Sequence, residues 1–353
     1  MSTPATSQAI SPDPAKVQAF LGSFVADLGA TLASANVIVG NRLGLYRGLA
    51  EGGPQTPAEL AIRTGTEERY VREWLYGQAA GGYVSYDPAE SRFSLTPEQA
   101  ACLADEESPT FVPDALQMAA SLYRDEEELV DAFRTGRAAR WREHRFFRVG
   151  YASQLLEEWL PEVEGAGERL RAGASVAELG CGGGAATVAL SEAYPRSRFV
   201  GFDHDGRSIA AAREAAERAG VAERVSFEVA AAAEYPGEGY DLVVMLDCLH
   251  DAANPVGVAE HVHGSLAEDG SWLLVEPFAG DRPEDNLGTV GRVYYCTSAL
   301  ICAAAHEAGD AGGAVLGAQA GERRLREVVA EGGFRRLRRV AETPFHLVLE
   351  ARP

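Results

Sequence analysis

The sequence contains one lysine among its 353 residues and no closely paired cysteines. Lys16 lies far from any glycine-rich loop, which excludes both the lysine of a phosphate-binding loop and a catalytic Schiff base. The five cysteines form no C-x-x-C pair and are odd in number. This usage predicts no zinc or other metal site, no disulfide framework, and a reducing, cytoplasmic location.

The chain also lacks long apolar runs and an excess of positive charge. No run approaches the ~20 apolar residues of a membrane helix. The first 14 residues, rich in Ser, Thr, Pro and Ala, lack the layout of a signal peptide, so we expect a disordered leader and no membrane partner. The net charge of −20 argues against a surface that follows a nucleic-acid backbone.

Residues 15–105 are predicted to form a helical, winged-helix domain. Apolar residues recur at helical spacing from Val17 to Leu45, which fits a subunit interface and an ordinary core helix equally well. Further on, two helical segments precede two short strands around an Asp-Pro turn. Over residues 51–105, nine acidic residues face four arginines. Because DNA recognition needs the opposite charge, we expect a dimerisation domain and a homodimer.

Residues 106–170 are predicted to form a helical bridge. They carry a cluster of aromatic and basic residues that includes Phe147 and Tyr151. One interpretation is a bridging helix with a solvated face. The other is a cover over the active site, with Phe147 and Tyr151 facing the substrate.

Strands and helices alternate over residues 171–353, which predicts an α/β fold with a doubly wound, seven-stranded sheet. The last two strands are joined by Thr343-Pro344, which is too short for a crossover helix. The final strand pair is therefore antiparallel. The predicted strands fall near residues 174–180, 198–203, 224–230, 240–247, 271–277, 334–341 and 345–351, and the predicted helices near 185–194, 206–219, 255–267 and 322–330.

The first strand of this sheet runs into a glycine-rich loop with an acid before it. Gly180, Gly182 and Gly184 have G-x-G-x-G spacing, and Glu178 precedes them. Glycine permits positive φ and the close approach of a ligand to the backbone. The second strand ends in Asp203, at roughly the 20-residue offset of an acid that binds ribose hydroxyls.

This loop resembles motif I of the class I S-adenosylmethionine (SAM) dependent methyltransferases, E/D-x-G-x-G-x-G. The positive sulfonium and ammonium of SAM suit an acidic loop, whereas an ordinary turn or another nucleotide remains the alternative. The resemblance implies SAM as cofactor, with its methionine part on the first loop, its ribose on Asp203 and adenine near the third strand. The implied contacts are Glu178, Gly180, Cys181, Gly182, Gly184, Asp203, His204, Ala231, Ala232, Asp247 and Cys248.

The segment after the fourth strand, Asp-Cys-Leu-His-Asp at residues 247–251, is similar to the L-H-D-W segment of plant-type small-molecule O-methyltransferases. That family also has an N-terminal winged helix used for dimerisation. The resemblance implies that His250 is the general base and that Glu276 orients it. Ala252 stands where the family has tryptophan. The alternative for His250 is a residue that caps the loop.

Other candidate site residues are less specific. Asp247 is expected either to contact the cofactor or to hold the nucleophile. Tyr294 and Tyr295 lie in a long insertion, where they are expected to line the substrate pocket or to be core aromatics.

The sequence therefore predicts a SAM-dependent methyltransferase that acts on a small molecule, with O-methylation as the expected reaction. Two alternatives stay open: a SAM-responsive transcription regulator, and an enzyme of this fold that catalyses a different reaction.

Overall fold

The computed structural model describes residues 11–106, 108, 110–136, 153–303 and 315–353. The chain divides into two compact units, Met1–Gln117 and Met118–Pro353. The finer division predicted above, with boundaries at 14, 105 and 170, stays a prediction.

The first unit has a winged-helix arrangement of helices and a hairpin. Its helices are α1 (Pro14–Arg42), α2 (Leu45–Gly52), α3 (Pro57–Thr64), α4 (Glu68–Ala80) and α5 (Pro97–Leu103), and its antiparallel strands are β1 (Ser85–Asp87) and β2 (Arg92–Ser94). The side chain of Thr56 caps α3 and that of Thr96 caps α5, each in a capping box that satisfies backbone donors at the helix start. The predicted order of helices and hairpin is confirmed.

Most of α1 is exposed. Its C-terminal end packs on α4, where Trp74 Nε1 donates to the Asn36 carbonyl at 2.8 Å and Gly40 lets the indole ring approach the backbone. By contrast, the apolar side chains of its first five turns are exposed. They are Val17, Phe20, Leu21, Phe24, Val25, Leu28 and Leu32.

By length and composition, α1 could cross a membrane. It has 29 residues, and its most apolar window has a mean hydropathy of 1.4 and is 6% buried. The expectation that the chain has no membrane-length apolar segment therefore does not hold for α1. A helix whose apolar face packs on another protein meets the same criteria.

Two helices, α6 (Pro113–Arg124) and α7 (Glu126–Thr135), follow the winged helix, and the boundary between the units falls within α6. Later in the second unit come a π-helical turn (Leu155–Trp159), a 3-10 turn (Leu160–Glu162) and α8 (Ala166–Ala172). The aromatic and basic cluster with Phe147 and Tyr151 lies outside the described residues.

The second unit contains a seven-stranded sheet of order β5-β4-β3-β6-β7-β9-β8. Strands β3 to β7 are parallel, whereas β9 is antiparallel to both β7 and β8, as predicted. The strands are β3 (Ser175–Leu179), β4 (Arg198–Asp203), β5 (Val225–Val229), β6 (Tyr240–Leu246), β7 (Leu266–Pro277), β8 (Arg336–Glu342) and β9 (His346–Arg352).

Helices cover both faces of this sheet. They are α9 (Ala185–Ala193), α10 (Gly206–Arg218), α11 (Pro255–Ser265), α12 (Thr289–Thr297) and α13 (Gly321–Glu331). Neighbouring residues of a strand pack on opposite faces, so that Val244 joins the core under α9 and α10 while Val243 joins the core under α11 and α13. This fold brings the loops after β3, β4, β5, β6 and β7 to one edge.

Candidate functional site

The loop after β3 is built on glycine. Gly180, Gly182 and Gly184 have φ values of 70°, 51° and 77°, which side chains with a Cβ rarely adopt. A Cβ on Gly184 would lie 2.6 Å from Cζ of Phe227, so the packing below α9 also excludes a side chain there. The loop turns directly into α9, whose first backbone amides therefore face the same edge.

Glu178 is buried beneath this loop. It is 4% exposed, and Thr187 Oγ1, on α9, donates a hydrogen bond to its carboxylate. Burial raises the pKa of Glu178 to about 7, although the hydrogen bond from Thr187 opposes the rise. A buried carboxyl group of this kind favours a nearby positive charge.

Asp203, at the end of β4, braces the glycine loop. Its Oδ2 accepts a hydrogen bond from the amide of Gly182 at 2.9 Å, and its Oδ1 accepts one from the amide of Asp205 at 2.8 Å. Each carboxylate oxygen can accept further bonds, so the brace leaves acceptor capacity for a diol. His204 lies beside it, with Nδ1 3.6 Å from Asp203 Oδ1 and a side chain that is 81% exposed.

The loop after β5 carries no acid at the predicted adenine position. Ala231 is exposed and Ala232 is half-buried, next to Val229, whose side chain is 58% exposed. The amide of Ala230 donates to the Asp203 carbonyl at 3.0 Å, which ties this loop to the previous one. The loop therefore offers small apolar side chains and backbone groups.

The loop after β6 contains a strained residue, Asp247, with φ at 48°. Its carboxylate is buried, and Oδ2 lies 3.6 Å from Nε2 of His346 on β9. The next residue, Cys248, reaches the glycine loop, since its Sγ lies 3.7 Å from the Gly180 carbonyl oxygen. The loops after β3 and β6 are thus adjacent.

His250 and Glu276 form a buried pair at this edge. His250 lies in the 3-10 turn Leu249–Asp251, and Glu276 is near the end of β7. Nδ1 of His250 lies 2.6 Å from Oε2 of Glu276, whose Oε1 accepts a bond from the amide of Leu249 at 2.8 Å. With Nδ1–H donating to the carboxylate, the lone pair of the imidazole is on Nε2. That is the protonation state of a general base.

Charges around His250 set its protonation. Burial alone lowers its pKa, but the carboxylates of Glu276 and Asp251 outweigh burial and hold the pKa of His250 well above its usual value. Burial raises the pKa of Glu276, and the charge of His250 works against that rise. Oδ1 of Asp251 lies 3.3 Å from Nε2 of His250.

The two predicted aromatic residues differ in their surroundings. Tyr294, on α12, is buried and its hydroxyl donates to the Phe345 carbonyl, while burial raises the pKa of its phenol. Tyr295 is 37% exposed. Tyr294 thus has the contacts of a core aromatic residue at the border of the site.

Sequence analysis did not identify three residues that contact the predicted site. Thr187 binds Glu178, His346 lies beside Asp247, and Cys302 is in hydrogen-bond contact with His250. Thr187 is nine residues after Glu178, a spacing that a helix placed over the strand could have suggested. His346 and Cys302 come from distant segments, so no local pattern signals them.

Two family models match separate parts of the chain. One, described as Rv2258c-like winged HTH domain, matches residues 30–105, and the other, described as Methyltransferase domain, matches residues 177–272. The ribosomal protein L11 methyltransferase of Xylella fastidiosa is 36% identical over 133 residues, which are 37% of this chain and 40% of that protein. The chain thus matches about two-fifths of the length of its curated relatives.

Solved structures match nearly the whole chain. Human N-acetylserotonin methyltransferase in complex with SAM has a TM-score of 0.68 at 19% identity and covers 98% of this chain and 99% of its own. The O-methyltransferase NcsB1 of neocarzinostatin biosynthesis, solved with S-adenosylhomocysteine (SAH) and 1,4-dihydroxy-2-naphthoic acid, has a TM-score of 0.60 at 19% identity and covers 94% and 98%. At these identities the similarity is one of fold. The chain therefore joins a winged helix-turn-helix domain to a methyltransferase domain of the SAM-dependent fold.

Proposed function

We propose that the protein transfers the methyl group of SAM to a hydroxyl group of a small molecule. The observation that carries this proposal is the buried His250–Glu276 pair at the same sheet edge as the glycine loop. NcsB1 and the human N-acetylserotonin enzyme, which share the fold, act on small molecules according to their names. The substrate itself is unidentified.

The residues of the first two loops would hold SAM. The buried carboxylate of Glu178 provides the negative charge that suits the ammonium of the methionine part, and Gly180, Gly182 and Gly184 let that part approach the backbone. Asp203 would accept hydrogen bonds from the ribose diol, beside His204. Cys181 and Cys248 line the loop, and Ala231 and Ala232 would pack against adenine. When bound, SAM supplies an electrophilic methyl group on a positive sulfur.

The chain's own residues would activate the acceptor. Glu276 fixes the ring of His250 and stabilises its protonated form, while Nε2 takes the proton of the substrate hydroxyl. The alkoxide or phenolate oxygen then attacks the methyl carbon in line with the departing sulfur, so alignment of the two molecules is the other requirement.

Asp247 would contribute negative charge close to the reacting groups. It lies between the glycine loop and the His250–Glu276 pair, and its carboxylate is buried on a strained backbone. We assign it to the cofactor or to the nucleophile, as the sequence suggested. Tyr294 and Tyr295 would border the substrate pocket together with Phe147 and Tyr151, which lie outside the described residues.

The affinity for SAH is expected to depend on pH through Glu178. With a pKa of about 7, the ionised fraction of Glu178 rises about tenfold between pH 6 and pH 8, and only the ionised form attracts the ammonium group. Titration calorimetry should therefore give affinity about tenfold weaker at pH 6 than at pH 8. Glu178→Gln should bind more weakly with a flat profile, whereas Glu192→Gln, an exposed position on α9, should keep the slope. A slope that survives in Glu178→Gln would contradict this assignment.

A homodimer through α1 would explain its exposed apolar face. Contiguous apolar surfaces of this kind mark interaction sites, and a second copy of the helix offers the matching surface. All five cysteines are free, which suits a reducing cytoplasm.

The dimer is tested by charge on the face of α1. A Phe20→Glu, Phe24→Glu variant should sediment as a monomer at concentrations where the unmodified chain is a dimer, because two buried carboxylates would lack partners. Ile62→Glu, on the exposed side of α3, is the matched control and should stay dimeric. An unmodified chain that is monomeric and pellets with lipid vesicles would replace the dimer by a membrane contact.

Methyl transfer is tested by incubating the protein and a metabolite extract with methyl-labelled SAM, followed by mass spectrometry. We expect one labelled product whose methyl group is on oxygen. A protein that binds SAH but labels nothing, and instead retards DNA in a salt-dependent way, would favour the regulator.

A further inference from the structure

Three metal-binding side chains meet at the free side of the His250 ring. They are His250, Asp251 and Cys302, and their ligand atoms all lie within 4.8 Å of one another. Cys302 belongs to a π-helical turn (Ser298–Cys302) and is 2% exposed. Histidine, carboxylate and thiolate are the ligand types of zinc sites.

The geometry is close to that of a tetrahedral centre. Nε2 of His250 and Oδ1 of Asp251 are 3.3 Å apart. Two such ligands on one tetrahedral zinc ion lie about 3.3 Å apart, and a histidine nitrogen and a thiolate sulfur about 3.6 Å. Cys302 Sγ therefore needs to move by at most about 1.2 Å. Three protein ligands leave the fourth position for water or a substrate oxygen.

The surroundings also suit a metal-binding histidine. Glu276 accepts from the other ring nitrogen of His250 at 2.6 Å, which fixes the ring and directs Nε2 toward Asp251 and Cys302. A carboxylate behind the histidine is the usual outer contact of zinc sites. Asp251 and a Cys302 thiolate would balance the double charge of the ion, so that a buried and neutral centre results.

We propose that His250, Asp251 and Cys302 form a zinc site that switches methyl transfer off. Binding of Zn²⁺ releases the thiol proton of Cys302 to solvent and places the lone pair of His250 Nε2 on the metal. That lone pair is then no longer available to take the proton of the acceptor. Sulfur and nitrogen ligands select Zn²⁺ over Mg²⁺ or Ca²⁺, which prefer oxygen. The inhibitory part rests on the proposed function, whereas the metal site does not.

Cobalt provides the direct test, because a Co²⁺–thiolate bond has a charge-transfer band that needs no turnover. Titration of the full-length protein with Co²⁺ should produce this band with one ion per chain, and Zn²⁺ should abolish it. Cys302→Ser should lack the band, and Glu276→Gln should weaken cobalt binding by about 10–100-fold. Cys296→Ser, which changes an exposed cysteine on α12, is the matched control and should keep the band.

The outcomes separate the site from its effect. A band that is absent from the unmodified protein, persists in Cys302→Ser or disappears equally in Cys296→Ser overturns the site; SAH titration of each variant shows whether it is folded. With the site present, Zn²⁺ should slow methyl transfer, EDTA should restore it, and Cys302→Ser should need at least about tenfold more Zn²⁺ for the same inhibition. Unchanged or faster transfer by the zinc-loaded enzyme overturns the inhibitory role.

Discussion

Replacing His250 with alanine is expected to slow methyl transfer about 10²–10⁴-fold, the usual contribution of a general base. The variant should still bind SAH with unchanged affinity, because the ring contacts Glu276, Asp251 and Cys302 rather than the glycine loop. Single-turnover transfer from labelled SAM to the identified acceptor measures the effect. His263→Ala, which removes a histidine packed on Phe334, is the control and should react at the normal rate.

The partner residue gives this prediction a signature in pH. The base works unprotonated, and the charges of Glu276 and Asp251 hold the pKa of His250 well above its usual value. The rate should therefore rise with pH through a midpoint above ~6.5. Glu276→Gln removes the main raising charge, so the midpoint should move to lower pH while the plateau falls. A rising limb that stays in place, or full activity in His250→Ala, would remove the dyad from the reaction.

Replacing Asp203 with alanine is expected to weaken SAH binding at least about 100-fold. The carboxylate accepts bonds from the amides of Gly182 and Asp205, and we assign it the ribose diol as well. Hydrogen bonds to a charged group contribute about 1.5–3 kcal/mol each, and about 1.4 kcal/mol is a factor of ten in affinity. Titration calorimetry with SAH measures the loss.

Two further variants isolate the role of Asp203. Asp203→Asn keeps one acceptor oxygen and the shape of the side chain, so it should fall between the unmodified protein and the alanine variant. Asp205→Ala removes the cap of α10, two residues further on, and should bind SAH nearly normally. Equal losses in Asp203→Ala and Asp205→Ala would mean that the loop is merely destabilised.

The layered fold could be predicted because its signals are local. Alternating strands and helices, each bounded by turn residues, gave the seven-stranded sheet and its antiparallel last pair. The largest error is at β7, which begins at Leu266 rather than near residue 271. The segment Glu268-Asp269-Gly270 has the composition of a turn, yet Leu266 pairs with Tyr240 and starts the strand early, so α11 ends at Ser265.

For α1, composition could not separate a core helix from an interface helix, because both need apolar side chains at helical spacing. Only the packing of the described residues distinguishes them: Val37 is buried, while Phe20 and Leu32 are more than half exposed. The exposed face favours the interface interpretation.

The site was predictable only where its residues follow strands. The glycine loop, Asp203, Asp247, His250 and Glu276 all come at the carboxyl ends of strands, whose positions follow from hydrophobic patterning. Cys302 lies 52 positions from His250, and His346 lies 99 positions from Asp247. Contacts at such separations depend on how α12 and β9 pack, which no local sequence pattern encodes.

A crystal structure of the protein soaked with SAH tests the central claim most directly. The account predicts density for one ligand per chain, with the amino-acid end against Gly180–Gly184 near Glu178 and the ribose hydroxyls on Asp203. Density elsewhere, or a crevice that stays closed at saturating SAH, would contradict it.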